Sequence, residues 1–161
     1  MRAQCHRPAR FAVWLFLVSI ALLPGRPAAA DSAFTHHPNA ELRPDQVVRI
    51  QLEALRANDK ADQGIATCFR FASPSNKLVT GPVERFAAML KGGVYALMFD
   101  YADVEYESVE VVEQQARQRV HLTGGGKVVT YVFYLSRQDH PECDGCWMTN
   151  SVDVEAVSQS T

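Results

Sequence analysis

From Pro44 onward the apolar positions recur at helical spacing, and from Tyr95 onward they alternate. Val47, Val48, Gln51, Leu52 and Leu55 share one stripe of a 3.6-residue period, with Ile50 beside it. Pro44 suits the first turn of that helix, where a backbone N–H has no intrahelical partner. Asn58-Asp59 closes it. Ile65, Cys68, Phe69 and Ala72 stand at i, i+3, i+4 and i+7 of a second helix. Ser73-Pro74 ends this one, because proline disfavours helical geometry in the residue before it. After a polar loop, Ser75-Asn76-Lys77, the run Thr80-Gly81-Pro82 starts a third helix. It carries Val83, Phe86, Ala87 and Leu90 on one face and stops at Gly92-Gly93.

The period then drops to two and predicts strands over 94–99, 103–112, 116–123, 127–136 and 146–155. Gly124-Gly125-Gly126 turns the chain between two of them, and Asp144-Gly145 is a two-residue hairpin signal. Helices first and strands afterwards predict an α+β domain, three N-terminal helices packed on a bent antiparallel sheet. Val129, Tyr131, Phe133 and Leu135 form the inner face of one strand and Val120 with Leu122 that of its neighbour. Arg117, Arg119 and His121 then point outward. The outer positions Val128, Thr130, Val132 and Tyr134 are apolar for open solvent, and a homodimer contact would cover them.

The first 30 residues follow a different pattern. Arg2, Arg7 and Arg10 precede a 13-residue apolar run from Phe11 to Leu23, which Pro24-Gly25 breaks. Ala28-Ala29-Ala30 offers small residues for cleavage, so residues 1–30 read as a secretory signal and the product as periplasmic or secreted. The run is too short for a permanent span of a bilayer core roughly 30 Å thick. Residues 31–43 read as a flexible lead-in, 44–156 as one domain and 157–161 as a flexible tail. With the four arginines of the leader removed, 12 basic residues face 18 acidic ones, a net charge of −6. An acidic chain without a basic cluster is a poor partner for nucleic acid or, after cleavage, for a membrane of anionic lipid.

Three cysteines follow the leader: Cys68, Cys143 and Cys146. Around the last two, His140-Pro-Glu-Cys143-Asp-Gly-Cys146-Trp147 allows several chemistries. Metal ligation by His140, Cys143 and Cys146 would need a fourth ligand, Cys68 or Glu142. A redox pair would need the helix N-terminus that lowers a thiol pKa. A Cys143–Cys146 disulfide fits two residues flanking a tight turn, with Cys68 left free, and this is the expected state. No metal and no cofactor is expected. Asp100, between Phe99 and Tyr101, is a weak candidate acid, since desolvation beside aromatic rings can equip a carboxylate for acid–base work. His121 is the residue type whose charge changes near neutrality, but its place among arginines predicts an exposed side chain. Glu105, Glu107 and Glu110 show no partner in the sequence and read as a solvated face. His36-His37 lie in the lead-in and carry no predicted role. There is no dinucleotide fingerprint, phosphate loop or nucleophile elbow.

Phe69-Arg-Phe-Ala-Ser-Pro-Ser-Asn76, Thr80-Gly-Pro-Val-Glu-Arg-Phe86 and Cys146-Trp-Met-Thr-Asn-Ser-Val152 together resemble a domain-of-unknown-function family, number 4864, over roughly residues 46–154. The spacing of helices, strands and the late tryptophan is similar to the nuclear-transport-factor-2-like cone fold. That likeness implies a curved sheet around helices, often dimeric, with a pocket at the mouth of the cone. It implies no activity and brings no catalytic residues. The expectation is therefore a non-catalytic binding module whose pocket takes a small apolar ligand, with Phe71, Tyr131, Phe133 and Trp147 as candidate lining residues. The alternative is a cofactor-independent isomerase, dehydratase or hydrolase using Asp100 and a tyrosine such as Tyr131.

Overall fold

A computed structural model of the chain describes residues 33–141 and 143–159, so the leader over residues 1–30 and its cleavage site lie outside the described residues. Helix α1 spans Pro44–Arg56, α2 Gln63–Phe71, α3 Pro74–Thr80 and α4 Val83–Lys91, and a 3-10 helix follows over Gly93–Phe99. Strands β1 (Asp103–Tyr106), β2 (Glu110–Val112), β3 (Gln115–Gly124), β4 (Lys127–Arg137) and β5 (Trp147–Gln159) complete an α+β architecture.

Pro44 occupies the first turn of α1, and the Gln46 side chain reaches back to accept from the Arg43 N–H at 2.9 Å. Gly64 lets α2 approach α1 closely, since a Cβ there would meet the Ala54 carbonyl oxygen at 2.0 Å. The expectation of three helices misses two elements. Helix α3 buries none of its residues, so it has no apolar stripe to read. It forms because Ser73 Oγ accepts from the Asn76 N–H and Pro74 stands in the first turn, so the pair that ends α2 also starts α3. The segment read as a strand over 94–99 is the 3-10 helix. A short, nearly continuous apolar run carries no period that separates the two.

The sheet is antiparallel in the order β1-β3-β4-β5, with β2 pairing farther along the same edge of β3 as β1. The strand expected over 103–112 is thus interrupted. At the break Gln118, buried on β3, donates through Nε2 to the Glu107 carbonyl at 2.9 Å. Gly125 and Gly126, with φ of 58° and 76°, make the two-residue turn from β3 to β4 that side chains would resist. The register of β5 on β4 slips twice, leaving Asn150 and Glu155 as the extra residues. Such bulges bend a strand.

Val120, Leu122, Val129, Tyr131, Phe133 and Leu135 face the helices and pack with Val47, Val48, Leu52, Ile65 and Phe71 in one core. On the opposite face, Glu107 bonds His121 and approaches Arg119, Glu110 bonds Arg117, and Glu155 bonds Arg119. The glutamates Glu107 and Glu110, read as partnerless, therefore have cross-strand partners that only the register reveals. Of the outer positions, Val132 and Thr130 are 2% and 8% exposed, while Val128 and Tyr134 are half-buried.

Leu42 packs on the core, and Arg70 holds the lead-in through the Phe34 carbonyl at 2.6 Å and His37 Nε2 at 3.0 Å. Strand β5 continues to Gln159, past the expected boundary at residue 156.

Candidate functional site

A cavity of about 420 Å³ opens between the helical layer and β5. Its floor is apolar: Leu55, Phe86, Leu90, Met98 and Phe133 meet there because each lies on the core stripe of its own element. At the mouth, α3 contributes Asn76, Val79 and Thr80, the 3-10 helix Tyr95, and β5 the residues from Thr149 to Asp153. Met89 and Val79 at the rim are exposed, and Leu78 beside them is 86% exposed. Isolated exposed apolar residues are ordinary on a protein surface, but a group of them around an apolar cavity is not.

Hydrogen bonds fix the polar part of this lining. Thr149 Oγ1 donates to Gln51 Oε1 at 2.9 Å, joining β5 to α1 across 98 residues of sequence. Cys68 Sγ donates to the Gln51 carbonyl at 3.3 Å, and burial pushes this thiol well above its ordinary pKa. Asn76 Nδ2 donates to the Thr149 carbonyl, and Thr80 Oγ1 to the Asn76 carbonyl. The Tyr95 hydroxyl donates to the Val152 carbonyl at 2.9 Å. Burial, and then the nearby Asp153 carboxylate, raise the Tyr95 pKa.

Of the four aromatic residues expected to line a pocket, Phe133 does so. Phe71 and Tyr131 are fully buried in the core, and Trp147 packs at its margin where β5 begins. The Tyr131 hydroxyl donates to the Val94 carbonyl, and burial pushes its pKa up to about 12. Asp100 is exposed just past the 3-10 helix and is not part of the cavity lining. The acid and the tyrosine of the enzyme alternative therefore do not meet at this cavity. Gln51, Asn76, Thr80, Tyr95 and Thr149 were not singled out from the sequence. Gln51 carried a signal, a polar residue inside an apolar helical stripe, whereas the mouth depends on the unforeseen α3.

Residues 38–161 match the family described as Domain of unknown function (DUF4864). The chain belongs to this family. No curated protein and no solved structure matches it. The family description carries no activity, so the chemistry of this DUF4864 member has to be read from its own side chains.

Two further clusters bear on that chemistry. Cys143 and Cys146 form a disulfide with Cα atoms 5.6 Å apart, and Cys68 is a buried free thiol. The bridged pair does not sit across a two-residue hairpin. It closes a turn within the nine-residue connection 138–146, where the Cys146 N–H donates to the Cys143 carbonyl at 3.4 Å. Both sulfurs are occupied by the bridge, and among the described residues no three His, Cys, Asp or Glu side chains are grouped to hold a metal ion. Glu142 lies outside the described residues.

On the outer sheet face, His121 Nδ1 lies 2.9 Å from Thr130 Oγ1 and its Nε2 2.8 Å from Glu107 Oε1. The order hydroxyl, imidazole, carboxylate is that of a nucleophile with its base and orienting acid. Thr130 is 8% exposed, and none of these three residues lines the cavity.

Proposed function

We propose that this protein is an exported, non-catalytic binding domain that holds the apolar body of a small ligand in the cavity between its helices and β5. The observation that carries the reading is the floor of Leu55, Phe86, Leu90, Met98 and Phe133 under an open mouth. Its volume falls within the range of roughly 300–1,000 Å³ common for small-molecule sites, which pair apolar walls with a few fixed polar groups. Helices on one face of a bulged antiparallel sheet, with a cavity between, support the cone-like fold to which the sequence spacing is similar. The apolar leader with its small-residue cleavage site supports export, and a disulfide suits an oxidising compartment.

The test is saturable binding of an uncharged apolar fluorophore, N-phenyl-1-naphthylamine, to the protein lacking residues 1–30. Leu90→Trp places a bulky ring on the cavity floor and should abolish the fluorescence gain while a cooperative thermal transition persists. Absence of saturable binding to the unsubstituted protein would overturn the reading.

A further inference from the structure

A second cavity, of about 490 Å³, is lined by residues from four separate segments. The lead-in contributes His37, α2 Arg70, α3 Lys77 and the connection 138–146 His140. All four are basic residue types, and among the described residues the lining includes no Asp or Glu. Asp139 and Asp144, on the same connection as His140, are exposed and outside the lining.

Arg70 decides what this cavity takes. It is half-buried, and its guanidinium bonds only to neutral groups: the Phe34 carbonyl at 2.6 Å, Thr67 Oγ1 at 2.7 Å and His37 Nε2 at 3.0 Å. A guanidinium only donates, so His37 Nε2 accepts as the unprotonated nitrogen of its ring. Among the described residues no carboxylate forms an ion pair with Arg70. Its Nε is buried without a hydrogen-bond partner. Lys77 Nζ donates to the Arg70 carbonyl at 3.3 Å, so a second cation stands against the same residue. A charge withdrawn from water is costly unless an opposite charge meets it.

We infer that this second cavity binds a small organic anion, its carboxylate head at Arg70 and Lys77 and its apolar body against Pro38, Pro74 and Met148. Arginine suits such a head because its planar donors match the two carboxylate oxygens. The two prolines and the buried Met148 supply the apolar wall. The volume is that of a small-molecule site. This cavity shares no lining residue with the one between the helices and β5, so the inference stands apart from the apolar-ligand reading.

Benzoate, benzamide and benzylammonium share a ring and differ in the charge of the head. They are titrated into the protein lacking residues 1–30 at pH 7 and low salt and followed by its amide resonances. Benzoate should bind about tenfold more tightly than either of the others and shift the amides of His37, Arg70, Lys77 and Cys143. Arg70→Gln should shrink that preference to within about threefold. Because Arg70 also holds the lead-in, Lys77→Gln serves as a second variant, and it should weaken benzoate about threefold while a cooperative thermal transition persists. Arg85→Gln, an exposed cation on α4 outside the lining, should leave the affinity as it was. Absence of benzoate binding, equal affinities for the three, or shifts centred on Leu90 and Phe133 of the other cavity would overturn the inference. So would a preference that survives both Arg70→Gln and Lys77→Gln. A preference that emerges only in Glu142→Gln would also overturn it, since an acid of the chain itself would then fill the site.

Discussion

At the scale of single residues, the cavity depends on one buried polar contact. Gln51 sits in the apolar stripe of α1 and is 5% exposed, and its Oε1 is satisfied by Thr149 from the far end of the chain. Thr149→Val keeps the shape and removes the donor, leaving a buried amide oxygen without its partner. Chemical denaturation should show a loss of about 1–3 kcal/mol. Cys68 gives a second prediction. Its thiol is buried and its pKa is raised, so little thiolate forms in the folded protein, and the thiolate is the reacting species. In the protein lacking residues 1–30, a disulfide-exchange reagent at pH 8 should label one thiol in denaturant and almost none under native conditions. Two or more reactive thiols in denaturant without reductant would show that Cys143 and Cys146 are not bridged.

At the scale of elements, the close crossing of α1 and α2 is set by the missing side chain at Gly64. A methyl group there would press on the Ala54 carbonyl, a backbone atom that cannot swing aside. Gly64→Ala should therefore destabilise the fold by about 1–3 kcal/mol, although alanine is the better helix former, because overpacking outweighs propensity. Thermal unfolding measures this directly, and an unchanged or raised transition would contradict the packing argument. Helix α3 is the opposite case. Nothing of it is buried, so its ends hold it: the Ser73 cap, Pro74 in the first turn, and Asn76 tied to the Thr149 carbonyl. That tether sets α3 over the cavity as one wall of its mouth.

At the scale of the whole molecule, many carboxylates are committed to folded-state partners. Asp45 beside Arg43, Asp62 beside Lys91, and Glu155 beside Arg119 are all held below their ordinary pKa by those hydrogen bonds and charges. Asp59 is held low chiefly by the Gln63 N–H. A carboxylate whose pKa is lower folded than unfolded adds stability above its unfolded pKa, and that stability is lost as the pH falls through the folded one. The transition temperature should thus be nearly flat from neutrality to about pH 5 and fall below about pH 4. These pairs lie largely at the surface, so the acid-dependent part should shrink in 1 M salt, where screening acts over about 3 Å. Calorimetric scans across pH at two salt concentrations check both statements. A transition temperature that rises on acidification would contradict them.

The amino-acid sequence by itself determined what local patterns can carry. The period of 3.6 gave α1, α2 and α4, because each buries a stripe of its own side chains. The period of two gave β3, β4 and most of β5 and assigned Tyr131 and Phe133 to the inner face. The glycines at 125 and 126 marked their turn, and the spacing of Cys143 and Cys146 marked their bridge. The family was legible as well, in three short motifs. Only the tertiary structure decided the rest. Helix α3 and the 3-10 segment lack a readable period, and the partners of Glu107 and Glu110 depend on cross-strand register. The cavity joins Gln51, Asn76, Tyr95, Phe133 and Thr149, residues drawn from five elements. No local pattern encodes such a meeting. It arises because two bulges bend β5, Gly64 draws α2 onto α1, and the side chains left between them do not fill the space.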